Sequence, residues 1–368
     1  MNKNVLVTGS QGFLGTNLVV HLVEAGRFSV LEVHRGSTSE QFADALQNCD
    51  VVVHLAGVNR PIDESQFTID NTNFTKKLLS DLAEVNPVPV IFASSSQANL
   101  DNPYGASKRQ AEELVRMYGV NTGQRVDILR LPNVFGKWCR PNYNSVVATF
   151  VHNVSRGIEL SVHDEDRILD LVYIDDVVEL LRGIIDGEIA GDDLRPREVH
   201  RISVGSLAAT IKQMHDARKR GEVLNVGNGL LRAIYATYVA ALAPTDFTYR
   251  LLPHKDVRGS FTEIVRTPSS GQVSYLTAVA GATRGSHFHH SKIEKFVVVS
   301  GQARFRFRCL MSGATHEVNV SAEIPEVVES IPGWVHDITN TGESELVVLI
   351  WANEVFDPAA PDTYQQEV

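Results

Sequence analysis

Val5-Leu6-Val7-Thr8-Gly9-Ser10-Gln11-Gly12-Phe13-Leu14-Gly15 is a short apolar strand that ends in glycines spaced GxxGxxG and leads into an amphipathic stretch. Glycines at this spacing permit a tight turn, allow the backbone to approach a pyrophosphate, and let the following helix pack closely on the strand. The helix N-terminus would face the bound anion. A glycine triplet also occurs in ordinary strand-to-helix turns, so the surrounding pattern decides its meaning. We expect the turn to bind a dinucleotide through Gly9, Gly12, Phe13, Leu14 and Gly15.

The sequence on either side of this turn alternates short β-branched runs with amphipathic stretches. That alternation predicts an α/β fold with a Rossmann-type, doubly wound parallel sheet. The predicted strands are 5–8, 30–33, 51–55, 90–93 and 126–130. Helices are predicted over 15–24 and 73–84.

The second part of the chain has a different character. From about residue 249 to 351 it consists of short alternating strands broken by Gly, Pro and Ser, for example 302–308 and 346–351. This pattern predicts an all-β sandwich or jelly roll. A chain of 368 residues suits two domains, and we place them at 1–245 and 246–368.

Composition limits the kind of protein this can be. A net charge of −10 without a compensating basic stretch argues against a nucleic-acid partner. The three cysteines lack CxxC spacing, which excludes a disulfide framework and fits a reducing compartment. No apolar run reaches the length of a membrane span, and no signal peptide precedes the first strand. We therefore expect a cytoplasmic protein. We also expect a homodimer or a higher homo-oligomer, although composition does not bear on that.

The end of the second predicted strand indicates which cofactor is used. It runs out into His34-Arg35, with Glu32 still inside the strand. An acidic residue at this end usually binds the ribose of NAD, whereas Arg accommodates a 2′-phosphate. We therefore predict NADPH, bound in part by His34 and Arg35, although Arg35 as a solvated surface charge is the alternative. The residues after the third strand would line the adenine side; they are Leu55, Ala56 and Gly57.

Tyr104 and Lys108 are the first candidate catalytic pair. Asn102-Pro103 predicts a helix start, with Asn102 as the cap and Pro103 in the first turn. Tyr104 and Lys108 are four residues apart and so share one face of that helix. An ammonium group beside a phenol favours the phenolate and brings a weak acid toward a useful pKa. A serine from the preceding Ser94-Ser95-Ser96 would orient the oxygen of the substrate.

Together these features resemble the extended short-chain dehydrogenase/reductases that act on nucleotide-sugars. The stretches Arg130-Leu131-Pro132-Asn133-Val134-Phe135-Gly136 and Tyr173-Ile174-Asp175-Asp176-Val177 are similar to two later motifs of that family. The resemblance implies that Tyr104 exchanges a proton with the sugar oxygen and that Lys108 binds the nicotinamide ribose. It implies that Ser95, or failing that Ser96, holds the reacting oxygen, and that Asn133 binds substrate. Dehydratases of the family follow the Ser or Thr with Asp-Glu; here Ser96-Gln97 follows Ser95, which favours simple ketone reduction.

Four residues in the second part have the spacing of metal ligands. Gly281 is followed by His287-Phe288-His289, then by Glu294 and Gly301, and Gly333-Trp334-Val335-His336 follows later. This spacing resembles the two metal motifs of the cupins, although the second motif has its proline directly before the glycine. Alternation along a strand puts the two histidines of HxH on one face. Three nitrogens and one carboxylate suit Zn, Mn, Fe or Ni, and we expect zinc, held by His287, His289, Glu294 and His336.

A second resemblance overlaps the metal motif. Asp256-Val257-Arg258-Gly259-Ser260-Phe261-Thr262-Glu263 is similar to the DxRGxFxE edge of the deoxysugar 3-epimerases, themselves cupins, in which the arginine contributes to nucleotide phosphate binding. Arg284-Gly285-Ser286-His287 and Lys295 occupy places similar to the base motif and the enolate lysine of that family. His287 could thus be a ligand or a base, and we favour the ligand. The base stays open, with Lys292, His290 and Tyr275 as candidates.

Over its whole length the chain resembles the CapF-type capsular polysaccharide enzymes, through the fusion order and the segments 59–61, 137–143 and 353–358. That resemblance implies a UDP-sugar substrate and a route to UDP-N-acetyl-L-fucosamine. The cupin would epimerise a UDP-2-acetamido-2,6-dideoxy-4-hexulose, at C3, and the reductase would then reduce the ketone with NADPH. Two alternatives remain: a non-catalytic cupin for sugar binding or dimerisation, and a cupin dioxygenase with an accessory nucleotide domain.

Overall fold

The computed structural model describes residues 2–61, 63–191 and 194–368. Its contacts divide the chain into two compact units, Met1–Ile211 with Ala233–Leu242, and Lys212–Arg232 with Ala243–Val368. Residues 212–232 belong to the C-terminal unit although they precede the boundary expected near residue 245. That boundary stays a prediction.

The N-terminal unit is built on a parallel sheet of five strands in the order β2-β1-β3-β4-β5. The strands are β1 (Lys3–Thr8), β2 (Phe28–Val33), β3 (Val51–His54), β4 (Val90–Ser95) and β5 (Val126–Leu131). The helices that follow the first four strands are α1 (Phe13–Glu24), α2 (Ser39–Asn48), α3 (Phe74–Val85) and α4 (Pro103–Thr122). β2 pairs with one side of β1 and β3 with the other. The order in which strands are added to the sheet therefore reverses at β1. Ligands of doubly wound sheets bind at the carboxyl ends of the strands beside this switch.

Burial explains why these strands form a central parallel sheet. Val5, Leu6 and Val7 of β1 are all fully buried, as expected for a strand covered by helices on both faces. On one face Leu6 and Phe92 join a cluster with Leu78 of α3 and Val115 of α4. Burying such side chains stabilises the fold by roughly 1.5–3 kcal/mol each.

The remaining elements complete the helical part of the chain. A small sheet in the order β6-β7-β8 consists of β6 (Asn133–Phe135), β7 (Ile168–Tyr173) and β8 (His200–Ser203). The further helices are α5 (Val146–Ser155), α6 (Ile174–Asp186), α7 (Val204–Lys219) and α8 (Gly229–Ala240). A π-helical segment, Phe67–Asn73, leads into α3, and short 3₁₀ turns lie at Ser96–Asn99 and Pro244–Asp246. In the described parts of the chain, no helix has both the length and the apolar character needed to cross a bilayer.

The C-terminal unit is an antiparallel sandwich. One sheet has the order β16-β13-β18-β11-β10-β9 and the other β15-β14-β17-β12-β19. The strands are β9 (His254–Asp256), β10 (Gly259–Thr267), β11 (Gly271–Ala278), β12 (Thr283–Phe288), β13 (Glu294–Ser300), β14 (Gln302–Cys309), β15 (Thr315–Ser321), β16 (Val327–Glu329), β17 (Trp334–Asn340), β18 (Leu346–Ala352) and β19 (Tyr364–Gln365). The core lies between the sheets, where Phe296 and Phe305 pack with ring centroids 5.5 Å apart.

The predicted fold class is confirmed in both units. The five predicted strands of the first half correspond to β1–β5, with differences of a few residues at their ends. The predicted jelly-roll strands 302–308 and 346–351 correspond to β14 and β18. Apolar runs in the first half and alternating strands in the second half therefore indicate the architecture.

Candidate active sites

The carboxyl ends of the parallel strands open into a cleft of about 1180 Å³. Gly9 directly follows β1 with φ +71°, and a Cβ there would lie 2.8 Å from the Cα of Ala56. Gly12 caps α1 without a side-chain hydrogen bond, so the first-turn amides of α1 can face an anion. All twelve residues predicted to bind the dinucleotide line this cleft. The tight turn at Gly9 and the uncapped N-terminus of α1 together fit a bound pyrophosphate.

The end of β2 forms one side of the cleft. His34 and Arg35 line it, whereas Glu32 lies within β2 with its side chain exposed. Arg35 is 80% exposed, and its Nη2 lies 2.8 Å from Oδ2 of Asp70. Among the described residues, Asp70 is the only carboxylate that lines the cleft. The guanidinium of Arg35 is thus accessible to a phosphate but already has one partner.

Ser95 and Tyr104 meet across the end of β4 and the start of α4. A hydrogen bond with Ser95 lowers the pKa of Tyr104, but burial has the larger effect and raises it above its ordinary value. Ser96 is exposed at the start of the 3₁₀ turn, although it also lines the cleft. The geometry therefore brings Ser95, and not Ser96, to the tyrosine.

Lys108 lies one helical turn further along α4 and is buried. Its Nζ donates to the carbonyl of Ala93 at 2.9 Å and lies 4.9 Å from the centroid of the Phe92 ring. Burial lowers its pKa to about 8, while the carboxylate of Glu112 raises it. Lys108 is thus fixed against β4, with a charge that depends on pH near neutrality.

The local sequence explains how α4 presents these two residues. The Oδ1 of Asn102 accepts from the amide of Gly105 at 2.7 Å, so the predicted cap is present. A Cβ at Gly105 would lie 2.3 Å from the carbonyl oxygen of Gln97, which means that only glycine lets the helix start this close to the 3₁₀ turn. Glu112 anchors the same helix face, accepting from Ser94 Oγ at 2.6 Å and from Arg130.

The structure also reveals residues in or beside the cleft that the sequence motifs do not indicate. Asn71, buried in the π-helical segment, accepts from the amide of Val58 at 2.8 Å and donates to Ser107 Oγ at 3.0 Å. It therefore fixes the loop after β3 to α4. Arg140 and Arg167 line the cleft together with Asn133. Arg140 could have been predicted, because it lies in the segment 137–143 that carries part of the family resemblance. Asn71 could not, because a π-helical turn has no simple periodicity in its sequence.

In the C-terminal unit, four side chains converge, three of them from strands of the two sheets and one from the turn after β12. His287, His289, Glu294 and His336 place one ligand atom each within 4.8 Å of one another. The Oε2 of Glu294 lies 3.1 Å from Nε2 of His289, 3.5 Å from Nε2 of His336 and 4.0 Å from Nε2 of His287. Separations of this size allow one small ion to touch all four atoms, since metal–ligand bonds are about 2.0–2.2 Å long.

A β-bulge sets the direction of His287. Register shifts between Gly285 and His287, and the extra residue, Ser286, has φ +58°. Arg284 then opposes Ile338 and His287 opposes His336. Directly opposed residues share a face, so Arg284 and His287 both point to the interior although they are three residues apart.

The electrostatics of the group fit a divalent cation. Burial lowers the pKa of His287, which favours its neutral form. Burial raises the pKa of Glu294, but the three histidines outweigh it and hold that pKa well below its ordinary value. Nδ1 of His289 lies 2.5 Å from the carbonyl oxygen of Asp362, an acceptor that requires a proton on Nδ1 and leaves Nε2 free to ligate. Neutral imidazoles and one carboxylate are a donor set for a transition metal.

A pair of arginines lies at the edge carrying the epimerase-like motif. Oδ2 of Asp256 accepts from Arg258 at 2.6 Å, and Oδ1 lies 3.5 Å from Nη1 of Arg284. Hydrogen bonds from Arg258 lower the pKa of Asp256 to about 2. The two guanidiniums therefore share one carboxylate, which leaves a net positive charge for an anionic ligand.

The residues proposed as base or enolate lysine are not brought to the four-residue group. Lys295 follows the inward-facing Glu294 on β13, so it points outward, where it pairs with Glu329. Tyr275 precedes the core residue Leu276 on β11 and also faces outward. Lys292 is buried and donates to Pro361 and Thr363, and the exposed His290 packs on Tyr364. Spacing alone could not assign the directions of His290, Lys292 and Lys295, because the turn between β12 and β13 interrupts the alternation of side chains along the chain.

Comparison with known proteins agrees with both units. Residues 5–193 match the NAD dependent epimerase/dehydratase family, and residues 254–364 match the polysaccharide biosynthesis C-terminal domain. A UDP-2-acetamido-2,6-beta-L-arabino-hexul-4-ose reductase of Pseudomonas aeruginosa is 46% identical over 98% of this chain and 97% of its own. The crystal structure of the capsular polysaccharide assembling protein CapF from Staphylococcus aureus has a TM-score of 0.93 and 40% identity, covering 100% of both chains. A UDP-glucuronic acid 4-epimerase from Bacillus cereus, with a TM-score of 0.54 and 17% identity over 65% of this chain and 98% of its own, shares the fold alone.

Proposed function

The chain belongs to the NAD dependent epimerase/dehydratase family, among its CapF-like members, and on that premise we propose that it is a bifunctional UDP-sugar enzyme. The N-terminal unit would reduce the 4-keto group of a UDP-2-acetamido-2,6-dideoxy-hexulose. The C-terminal unit would first epimerise the carbon next to that ketone, C3. The product would be a UDP-N-acetyl-6-deoxy-L-talosamine on the route to UDP-N-acetyl-L-fucosamine, for capsular or O-antigen polysaccharide.

The contact between Ser95 and Tyr104 in the cleft carries the reductase assignment. The raised pKa of Tyr104 keeps the phenol protonated at neutral pH, so it can donate its proton to the ketone oxygen as that oxygen gains negative charge. Ser95 holds the same oxygen by a second hydrogen bond, and the Lys108 ammonium stabilises the phenolate that remains. NADPH, when bound, supplies the hydride.

The choice of NADPH over NADH is supported by the end of β2. Arg35 lies at the cleft edge, where a 2′-phosphate is read, while Glu32 is held away in the strand. A 2′-phosphate would compete with Asp70 for the guanidinium, so the preference should be moderate. Titration of the protein with each cofactor measures it, and equal affinities would contradict the proposal.

The opposite end of the cleft suits a diphosphate. The sheet order places Arg35 at the β2 edge and Asn133, beyond β5, at the other. Arg140 and Arg167 also line the cleft, and carboxylate and phosphate oxygens are natural partners of guanidinium groups. We assign the cofactor to the β2 side and the UDP-sugar to the β5 side, so that they meet at Tyr104.

The epimerase half is supported by the four-residue group together with the arginine pair. A divalent ion at His287, His289, Glu294 and His336, with zinc as our choice, supplies Lewis acidity toward a substrate oxygen when bound. Arg258 and Arg284 would hold the nucleotide phosphates. A C–H bond beside a carbonyl is acidic only while the ketone exists, so epimerisation has to precede reduction.

A second reading keeps the reductase but gives the C-terminal unit no chemistry. It is favoured by one observation: Lys292, Lys295, His290 and Tyr275 all lie away from the four-residue group. Against it stands the charged set Asp256, Arg258 and Arg284, which a purely structural module would not need.

One experiment separates the two readings. The protein is incubated with the 4-keto UDP-sugar in deuterated water, with and without NADPH, and the products are analysed by NMR. We expect deuterium at the carbon next to the ketone without NADPH, and ketone reduction only with it. Reduction without deuterium uptake would leave a reductase with a non-catalytic C-terminal unit.

A further inference from the structure

The last strand of the chain lies directly against the strand that carries the metal-type ligands. We define the C-terminal strap as residues 361–366. Gln365 opposes His287 and Tyr364 opposes Phe288, and the rings of Tyr364 and Phe288 stack at 5.2 Å. The amide of Gln366 donates to the carbonyl of Ser286 at 2.9 Å. The strap therefore holds the bulged segment from the other edge.

Asp362 connects the strap to the turn that follows β12. Its carboxylate accepts from the backbone amides of His290, Ser291 and Lys292 at 2.8–2.9 Å. It also accepts from the hydroxyl of Ser291 at 3.0 Å. The backbone of Asp362 has φ +37°, a left-handed conformation that costs free energy for a residue with a Cβ. Such strain persists only where surrounding contacts compensate for it.

Lys292 fixes the strap from inside the unit. It is 5% exposed, and its Nζ donates to the carbonyl of Pro361 at 2.9 Å and to Thr363 Oγ1 at 2.7 Å. These two acceptors flank Asp362 on either side. The buried ammonium therefore orients the peptide groups around Asp362 and has a structural use.

The carbonyl group of Asp362 connects the strap to one of the metal-type ligands, since its oxygen lies 2.5 Å from Nδ1 of His289. A carbonyl accepts only, so Nδ1 carries a proton, and Nε2, 3.1 Å from Oε2 of Glu294, is the nitrogen that faces the site of the ion. Groups that hold the outer nitrogen of a ligating histidine fix its tautomer and ring orientation.

From these contacts we infer that the C-terminal strap is a positioning element of the metal site, and that Asp362 is its central positioning residue. The inference rests on the proposed metal-binding role of the four-residue group. Asp362 acts twice: its carboxylate shapes the turn after β12, and its carbonyl sets the tautomer of His289. The strap thereby makes divalent-ion affinity depend on residues far along the chain from the ligands.

The test compares Zn²⁺ dissociation constants, measured by competition with a chromophoric chelator on the full-length protein. We expect Asp362→Ala to weaken Zn²⁺ binding roughly 10–100-fold, the range typical for lost outer-shell partners, and Asp362→Asn to weaken it less. The matched control is Asp357→Ala, because Asp357 is an exposed tail residue whose carboxylate accepts from Ala359. Control and wild type should have equal affinity. Unchanged affinity in a folded Asp362→Ala variant would overturn the inference.

A second measurement covers the case in which Asp362→Ala does not fold. Long-range ¹H–¹⁵N correlation of the Zn²⁺-loaded wild-type protein reports which ring nitrogen of His289 is protonated and which binds the ion. We expect a proton on Nδ1 and Zn²⁺ on Nε2, and Zn²⁺ on Nδ1 would overturn the inference. Wild-type protein that binds no divalent ion in the chelator experiment would refute the metal site itself, and the role of the strap with it. Metal binding that is normal in wild type and in Asp362→Ala would refute the strap alone.

Discussion

At the scale of single residues, the environment of a side chain decides what it can do. Tyr104 and Lys108 share a helix face, and burial moves their pKa values apart, raising that of the phenol and lowering that of the ammonium to about 8. His54 of β3 is a buried titratable residue with a purely structural role. It lies buried between Thr8 and Thr75, and burial lowers its pKa to about 3, so it is a neutral structural histidine.

The assignment of the two reactions to different units predicts the behaviour of Tyr104→Phe. Loss of the proton donor should slow ketone reduction by about 10²–10⁴-fold, since Phe keeps the shape of the ring without the hydroxyl. Deuterium uptake at C3 should continue at the wild-type rate, because it depends on the C-terminal unit. NADPH oxidation and NMR measure the two activities, and loss of both in a folded variant would contradict the division of labour.

The lowered pKa of Lys108 predicts a pH dependence. A lysine loses its charge as the pH rises through its pKa, so the ammonium is present below about pH 8 and lost above it. We therefore expect kcat/KM for reduction to fall above about pH 8. Glu112→Gln removes the carboxylate that raises this pKa, and the fall should move to lower pH.

The control for this profile is Glu113→Gln, since Glu113 is the exposed neighbour on the same helix. Its profile should match that of the wild type. A wild-type profile that stays flat to about pH 10, near the ordinary pKa of lysine, would show that Lys108 does not titrate as the structure indicates.

At the scale of elements, two local features aim the functional side chains. The start of α4 is fixed by the Asn102 cap and by Gly105 against Gln97. The bulge at Ser286 turns β12 so that Arg284 and His287 share the interior face. Bulges re-aim side chains next to functional sites in this way.

The cap of α4 can be tested directly. Asn102→Ala removes the acceptor of the Gly105 amide, and we expect the free energy of unfolding to fall by about 1 kcal/mol. Because α4 carries Tyr104 and Lys108, reductase activity should fall as well. Asn102→Asp keeps an acceptor and should restore most of the stability in urea unfolding; equal losses in both variants would exclude capping as the cause.

At the scale of the whole molecule, each unit contains its own candidate site. The cleft lies at the carboxyl edge of the parallel sheet, and the four-residue group lies inside the sandwich, with Glu294 from one sheet and His287 and His336 from the other. A site shared between two sheets forms only when the sandwich is complete, so metal binding and folding of the C-terminal unit should be coupled.

Elemental analysis should therefore find about one divalent ion per chain, and His336→Ala should lower the occupancy because one of four ligands is lost. His316→Ala is the control, since His316 is an exposed histidine of β15 outside the group. His287→Ala distinguishes a ligand from a base. Full occupancy with lost deuterium exchange would make His287 the base and overturn our ligand assignment.

The sequence by itself determined the two architectures and most of the cleft. Apolar periodicity identifies strands and helices because burial acts through the 2.0 and 3.6 repeats, and the glycine turn and Tyr104–Lys108 are local in the chain. The four metal-type ligands were also predicted from spacing, and their convergence is observed, while their role as ligands stays a proposal.

Only the tertiary structure decided which side chains reach the candidate sites. Ser95 rather than Ser96 contacts Tyr104, because the strand ends and a 3₁₀ turn begins between them. Lys295 faces outward and Lys292 holds the strap, although both lie close to Glu294 in sequence. The Asp362 carbonyl on His289 joins residues 73 positions apart. Contacts of this kind depend on how turns and bulges rotate neighbouring strands, and no spacing rule along one chain encodes that rotation.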